Sequence, residues 1–197
     1  MADADPKLTL ASYRPLSPTA TIASVRAAEF QNPKWLYATS VTPDIWQGDV
    51  LPEVHLAWID AAGGVQVYEG PAIVLSHGCD TVADRDLMAT LAPAFALSDY
   101  IAECSGLADA GDAAVREQAI RSNRVTSNFF LPAVGASPDR VVDFSWACSV
   151  SNRYLDAIAS RSPNEKLRLT RSGWYLFTAK FAHHVAHEEA LGDYPRV

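Results

Sequence analysis

Apolar residues between positions 47 and 80 are grouped into short runs that glycine and proline separate. The first run begins at Val50, Gly63-Gly64 interrupts the pattern, and a second run continues beyond Pro71 through residues 72–75. Such runs between Gly and Pro favour strands, and paired glycines between two runs indicate a hairpin because glycine adopts positive φ without steric cost. Residues 72–75 are apolar without alternation, which predicts a central strand covered on both faces.

The pattern changes twice in the next fifty residues. Residues 87–97 predict another core strand that bulges or ends at Pro93, because proline cannot donate a ladder hydrogen bond. Residues 98–123 are rich in good helix formers and predict a helical insertion. Gly106 and Gly111 divide that insertion into two short helices.

The last third of the chain predicts a strand pair and a closing helix. Residues 125–134 and 140–150 are the strands, and turn-forming residues join them. Residues 173–191 have apolar positions at spacings of three and four, which predicts a C-terminal helix capped by Thr170 or Ser172.

These elements predict one α+β domain over residues 45–197. Its centre would be a small β-barrel or a strongly bent antiparallel sheet. Residues 1–44 contain five prolines and predict an extended arm with one short helix near residues 22–30. Trp35, Leu36 and Tyr37 would anchor this arm on the core, since aromatic side chains bury large areas.

Composition narrows the classes of function. The net charge is −7 and the isoelectric point is about 5.1, which argues against binding nucleic acid by bulk electrostatics while leaving room for a local basic patch. No apolar run approaches a membrane span, and the N-terminus lacks the pattern of a secretion signal. Three widely spaced cysteines suit reduced thiols. We therefore expect a cytoplasmic protein without a membrane partner.

Three stretches of the chain together resemble the PemK/MazF family of toxins. They are Gly48-Asp49-Val50, the Pro-led strand from Gly70 to Ser76, and Ala92-Pro93. The resemblance covers about residues 46–150, with 98–123 as an insertion. It implies a small SH3-like barrel that forms a homodimer and cleaves messenger RNA without a metal or other cofactor. It also implies a toxin–antitoxin or defence setting, with RNA or a protein such as an antitoxin as the partner.

The chain departs from the family at two positions that matter for chemistry. An arginine usually lies next to the Pro-led strand, where this chain has Tyr68-Glu69-Gly70. A Ser or Thr usually follows the Ala-Pro, where this chain has Ala94-Phe95-Ala96. Phosphodiester cleavage needs a cation for developing negative charge and a polar group near the attacking hydroxyl. The nuclease activity is therefore either lost or rebuilt from other residues.

Residues 76–80 are the most chemically dense stretch of the chain. Ser76, His77, Cys79 and Asp80 place a hydroxyl, an imidazole, a thiol and a carboxylate around Gly78 at the end of a core strand. They could supply a general base with a nucleophile, half of a metal site, or a polar loop that grips RNA. The alternative is a structural turn, in which Ser76 closes the strand and Asp80 accepts backbone hydrogen bonds.

Two further groups of residues invite a functional interpretation. His183 and His187 are four apart on the closing helix and could face one metal ion, or they could form a polar face near a helix C-terminus. Basic residues accumulate between positions 121 and 171, where they either line a groove that contacts RNA phosphates or form a solvated face. They are Arg121, Arg124, Arg140, Arg153, Arg161, Lys166, Arg168 and Arg171. The candidates for contact with RNA are Arg124, Arg140 and Arg153.

The sequence therefore predicts a PemK/MazF-like protein that binds RNA. If it is an endoribonuclease, the ribose 2′-hydroxyl would attack, with His77 as general base or acid and Arg124 or Arg140 steadying the phosphate. Two alternatives remain open. One is a non-catalytic protein-interaction module on the same barrel, and the other is a metal-dependent hydrolase that uses the helix of His183 and His187.

Overall fold

A computed structural model describes residues 31–77, 81, 88–105, 110–161 and 165–190, without the side chains of 104, 105, 110–112 and 187–190. The predicted helix near residues 22–30 lies outside these ranges. The elements in chain order are α1 (Pro33–Leu36), β1 (Val50–Ile59), β2 (Val65–Val74), β3 (Met88–Ala96), α2 (Leu97–Ser105), α3 (Ala110–Arg121), β4 (Asn128–Leu131), β5 (Arg140–Asp143), a 3₁₀ turn (Phe144–Trp146), β6 (Cys148–Ser151), α4 (Asn152–Arg161) and α5 (Arg171–Ala190).

The strands β1 and β2 form the predicted hairpin. Ile59 pairs with Val65, and the Asp60 carboxylate accepts the Gly64 amide at 2.8 Å within the turn. Gly63 has a φ of +82°, a conformation that glycine adopts at low cost. Residues 72–74 at the far end of β2 have no exposed surface, which confirms the predicted central strand.

The strand β3 is the centre of the sheet. It pairs with β2 on one edge, while β6 pairs with residues 88–91 and β5 with residues 94–96 on the other. Pro93 lies in the interval between these two ladders, where the 3₁₀ turn separates β5 from β6. The prediction that the strand ends or bulges at Pro93 is wrong. Proline has no backbone N–H to donate, and neither β5 nor β6 pairs with β3 at residue 93, so β3 continues through this residue.

The described strands form one open antiparallel sheet. Its order is β1-β2-β3-β5-β4, with β6 also paired to β3. The helices α2 and α3 lie between β3 and β4 in the chain, and α5 closes the described part. This arrangement confirms the predicted α+β class with an antiparallel sheet and helices, including the predicted helices between β3 and β4 and the long helix α5.

Three apolar clusters pack against the sheet. The first lies under α5 and includes Leu36, Phe129 and Phe177, the second is between β1, β2 and α4, and the third lies under α2 and α3. Leu36 and Tyr37 are only 1% and 6% exposed and belong to the first cluster, and Trp35 packs against it, so these three residues lie on the core as predicted. No helix of the described ranges is long and apolar enough to cross a membrane.

Candidate functional site

A cavity of about 410 Å³ lies where the turn before β1, the end of β2 and the start of α5 meet. The described residues that line it include no carboxylate. They are Trp46, Gln47, His77, Arg168, Leu169, Thr170, Arg171 and Trp174. The cavity therefore combines two indole rings, one imidazole and two guanidinium groups.

The turn before β1 forms one wall of the cavity. Gly48 has a φ of +87°, and its amide donates to the Val74 carbonyl at 2.8 Å. The Gln47 side-chain amide donates to the Leu75 carbonyl at 2.7 Å and accepts the Trp174 indole N–H at 3.2 Å. These bonds hold β1, β2 and α5 together and fix the Trp174 ring at the wall.

A buried ion pair lies beneath this wall. Asp49 has no exposed surface, and both of its oxygens accept hydrogen bonds from the Arg168 guanidinium at 2.7 Å. The Asp49 carboxylate also accepts the Trp46 amide at 3.0 Å. Bidentate pairs of this kind fix geometry as well as charge, so Asp49 links Arg168 to the backbone that carries Trp46.

Lys166 adds a second cation to the buried pair. Its Nζ is 3.5 Å from the Asp49 carboxylate, and it donates to the carbonyl of Pro43 at 2.8 Å and to that of Asp44. Burial lowers the pKa of Lys166, and the charge of Asp49 opposes this shift. The charge of Asp44 acts in the same direction, so Lys166 and Arg168 are held beside two carboxylates, Asp44 and Asp49.

The cations alternate with apolar residues for a structural reason. Leu167 forms a bridge with Val50, and Leu169 forms a bridge with Tyr37, so residues 166–169 run as an extended segment. Side chains alternate across an extended segment, which turns Leu167 and Leu169 to one side and Lys166 and Arg168 to the other.

The helix α5 begins at the cavity. The Thr170 hydroxyl accepts the Gly173 amide at 3.0 Å and donates to the Trp35 carbonyl at 2.7 Å, which confirms Thr170 as the predicted cap. Arg171 is the first residue of the helix, and its guanidinium lies 5.7 Å from the centroid of the Tyr175 ring. The positive end of the helix dipole thus faces the same cavity as Arg171.

The predicted cluster at residues 76–80 lies partly at this cavity. His77 is exposed and lines it. The Ser76 hydroxyl accepts the Thr90 amide at 2.8 Å, as expected of a residue that closes the strand. Cys79 and Asp80 lie outside the described residues.

The structure does not bring the three predicted RNA-binding arginines to His77. Arg124 is exposed after α3, and Arg153 is exposed on α4. Arg140 lies on β5 and donates to the Ala94 carbonyl at 3.1 Å. The arginines that share the cavity with His77 are instead Arg168 and Arg171.

The histidines of α5 form no recognisable metal centre within the described part of the chain. No group of three His, Cys, Asp or Glu side chains there is arranged to hold a metal ion. His183 is half-buried, and the side chain of His187 is outside the description. The neighbouring His184 packs with its ring centroid 5.6 Å from that of Phe144.

Sequence reasoning missed the walls of the cavity. Trp46 and Gln47 lie more than a hundred positions before Arg168 and Trp174, so no local spacing links the two pairs. One signal was present, since Lys-Leu-Arg-Leu over residues 166–169 alternates with the period of an extended segment.

No family model, curated protein or solved structure matches the chain. The cavity's guanidinium groups and helix N-terminus favour an anion, and its indole rings favour a flat apolar ligand group.

Proposed function

We propose that this chain is a PemK/MazF-like protein, built on an SH3-like variant of the open sheet, that binds single-stranded RNA and cleaves it without a metal. The observation that carries the proposal is the cavity in which His77 and Arg171 lie beside Trp46 and Trp174. Its volume of about 410 Å³ falls within the range of roughly 300–1,000 Å³ typical of ligand sites.

The charge around the cavity supports binding of a phosphate group. Arg171 and the N-terminus of α5 both present positive charge, and the lining residues described include no carboxylate. The whole chain carries −7, so this is a local basic site on an acidic protein. It can bind one or two phosphates of a strand without the extended basic surface that binds duplexes.

The indole rings support recognition of unpaired bases. Trp46 is 54% exposed, so its ring is available at the mouth of the cavity. Stacking of a base on an aromatic ring contributes about 1–3 kcal/mol and is available only to bases that are not already stacked in a duplex. The combination of indole and guanidinium groups therefore favours a single strand.

His77 and Arg171 supply the two groups that ribose-assisted cleavage needs. The His77 imidazole takes the proton of the 2′-hydroxyl, the 2′-oxygen attacks phosphorus, and the bond to the 5′-oxygen breaks. The products are a 2′,3′-cyclic phosphate and a 5′-hydroxyl, which receives its proton from an imidazolium or water. Arg171 stabilises the negative charge that develops on the phosphoryl oxygens.

The test is cleavage of a long single-stranded RNA by the purified protein in EDTA. The wild type should cut, and His77→Ala should reduce the rate by about 10²–10⁴-fold, the usual contribution of a general acid or base. His55→Ala is the matched control, because His55 is an exposed histidine on β1 that does not line the cavity. Binding without cutting by the wild type would limit the function to recognition, and no binding would reject the proposal.

One surface favours a second candidate function, which is a protein-interaction module. Ile59, Val65 and Val67 project from the same face of the β1–β2 hairpin and are 74%, 69% and 64% exposed. Contiguous exposed aliphatic side chains are typical of protein interfaces. A homodimer would bury this face of both copies against each other, whereas an antitoxin-like partner would cover the face of one copy.

Light scattering of the wild type and of Val65→Lys/Val67→Lys separates these possibilities. A dimer that the double substitution dissociates supports self-association through the hairpin. A wild type that is monomeric at high micromolar concentration rejects it.

A further inference from the structure

The two indole rings of the cavity are held differently. The Trp174 ring is fixed by the turn before β1, whereas Trp46 is 54% exposed. We propose that Trp174 is the platform on which one unpaired base of the RNA strand stacks, and that Gln47 is the positioning residue that holds this platform. The inference rests on the proposed function, because it names the part of the strand that the cavity recognises.

Several contacts fix the Trp174 ring. Its indole N–H donates to the Gln47 Oε1 at 3.2 Å, and its Cδ1 lies so close to the turn that a Cβ at Gly48 would be 3.4 Å away. The Tyr175 ring lies beside it, with the two centroids 5.1 Å apart, and Trp174 also packs against the first apolar cluster. The N–H edge is therefore turned to the protein, so Trp174 offers the cavity ring surface and not a hydrogen-bond donor.

Gln47 can hold this ring because its own amide is anchored. Its Nε2 donates to the Leu75 carbonyl at 2.7 Å, at the end of β2. A side-chain amide has a donor end and an acceptor end, and here the donor end binds the backbone while the acceptor end binds the indole. A flipped amide would place its NH₂ against the indole N–H, so the two bonds fix one orientation. The Trp174 ring is thus linked to the end of β2 through a single side chain.

The neutral polar side chains of the cavity are already bonded within the protein. Gln47 bonds at both ends, and the Thr170 hydroxyl bonds the Gly173 amide and the Trp35 carbonyl. A base in a single strand can be recognised by its face, through stacking, or by its edge, through hydrogen bonds. Stacking tolerates every base, because each has a flat face. Trp174 therefore selects bases that are unpaired, and not a particular sequence.

Two strands that cannot be cleaved test the platform. One is a 2′-O-methyl oligoadenylate, whose attacking hydroxyl is blocked, and the other is an abasic 2′-O-methyl strand with the same number of phosphates. The ratio of their affinities cancels the contribution of the phosphates and reports the bases. The wild type should prefer the oligoadenylate by about 5–150-fold, the usual effect of one stacked base. Oligouridylate and oligocytidylate should bind within about tenfold of oligoadenylate.

Substitutions of Trp174 should change this ratio and not the affinity for the abasic strand. Trp174→Ala should abolish the preference for the strand with bases, and Trp174→Phe should keep most of it, because phenylalanine still stacks. Trp174→Leu, which keeps apolar contact with the cluster, replaces Trp174→Ala if that variant does not fold. Trp146→Ala is the matched control, because Trp146 is 42% exposed and does not line the cavity.

The two substitutions of Gln47 separate positioning from a general loss of structure. Gln47→Met removes both amide bonds and should lower the ratio by about fivefold, the effect of one net hydrogen bond on the ring. Gln47→Glu keeps an acceptor for the Trp174 N–H and should keep the ratio, although its charge weakens the binding of both strands. Gln66→Met is the control, because Gln66 is an exposed glutamine of β2 that does not line the cavity.

Several results would overturn the inference. Equal affinity of the wild type for the two strands, or an unchanged ratio in Trp174→Ala, would remove Trp174 from this role. An unchanged ratio in Gln47→Met would remove Gln47. A preference of about a hundredfold or more for one base would show that edges are read instead of faces.

Adenosine distinguishes failure of the platform from failure of the RNA proposal. If the wild type binds neither strand, adenosine is titrated and the fluorescence of Trp174 is followed. The chain has five tryptophans, so this signal is taken as the difference from Trp174→Phe. Quenching that Gln47→Met weakens would support the platform while the RNA proposal fails. No quenching by adenosine would reject the platform as well.

Discussion

At the scale of single residues, the most unusual group outside the cavity is the amine of Lys180. It is 2% exposed on α5 and donates to the carbonyls of Asn123, at 2.7 Å, and Val125, at 2.5 Å. Asn123 has a φ of +52° just after α3, so Lys180 satisfies carbonyl groups at an irregular helix end. Burial lowers the pKa of Lys180 to about 8.

The lowered pKa of Lys180 predicts that the protein becomes more stable as the pH rises above 8. Below pH 8 the native state must keep a buried charge, whereas the unfolded chain holds its proton up to about pH 10.5. The unfolding free energy of the wild type should therefore rise by about 2 kcal/mol between pH 7.5 and 9.5. Lys180→Met should remove this rise in urea denaturation curves recorded at each pH.

The control for Lys180→Met is Lys34→Met, which removes an exposed lysine from α1. Its stability should follow the wild-type pH dependence, because the Lys34 side chain is exposed and is not buried on folding. A Lys180→Met curve parallel to that of the wild type would show that the amine is neither buried nor shifted as the contacts indicate.

Residue identity alone marked His77 as a candidate, and it lines the cavity, but residue identity did not link His77 to the residues beside it there. Imidazole beside a strand end is a local signal, so His77 could be named from the sequence. The pairing of Asp49 with Arg168 depends on a contact across 119 positions. Arg124, Arg140 and Arg153 carry the same charge as the two arginines that line the cavity. Only the fold shows that these three residues do not line the cavity with His77.

At the scale of elements, the turn at Gly48 joins the first strand to the cavity. Alanine at Gly48 would have an unfavourable positive φ, and its Cβ would lie 3.1 Å from the Leu169 Cδ1 and 3.4 Å from the Trp174 Cδ1. Gly48→Ala should cost about 1–2 kcal/mol for the conformation and about 1–3 kcal/mol for the crowding, measured by urea denaturation.

Gly63→Ala is a matched control for the turn at Gly48. Gly63 has a similar φ of +82°, and a Cβ there would meet no atom within 4 Å. It should therefore show only the conformational cost, and its RNA binding should equal that of the wild type. Equal losses of stability in the two variants would mean that Leu169 and Trp174 move aside freely.

The elements themselves were largely predictable, and their interruptions were not. Apolar runs separated by Gly and Pro predicted the hairpin, good helix formers predicted the two helices after β3, and apolar spacings of three and four predicted the C-terminal helix. The 3₁₀ turn at Phe144–Trp146 divides the strand predicted over 140–150. The Asp143 side chain caps this turn by accepting the Ser145 amide. Strand pairing resumes directly after this short turn, so the turn leaves the apolar pattern almost unchanged. Periodicity therefore does not detect it.

At the scale of the whole molecule, β3 joins the three apolar clusters into one structure. Ala92 and Ala94 belong to the first cluster, Ala89 and Leu91 to the second, and Phe95 packs against the third. Alternation places neighbouring residues of one strand in different clusters. A loss of packing in one cluster is therefore transmitted through the sheet to the others.

This coupling predicts a single unfolding transition even when one cluster is damaged. Phe177 is fully buried, with its ring centroid 5.4 Å from that of Phe129 and 6.0 Å from that of Phe144, so Phe177→Ala should lower the unfolding free energy by about 3–5 kcal/mol. Phe181→Ala should cost less, because Phe181 is only partly buried.

Urea denaturation followed by far-ultraviolet circular dichroism and by tryptophan fluorescence should give the same midpoint in each variant, since Trp46, Trp58 and Trp174 lie in different parts of one cooperative unit. Separate midpoints in Phe177→Ala would mean that the region under α5 unfolds independently, and β3 would then not couple the clusters.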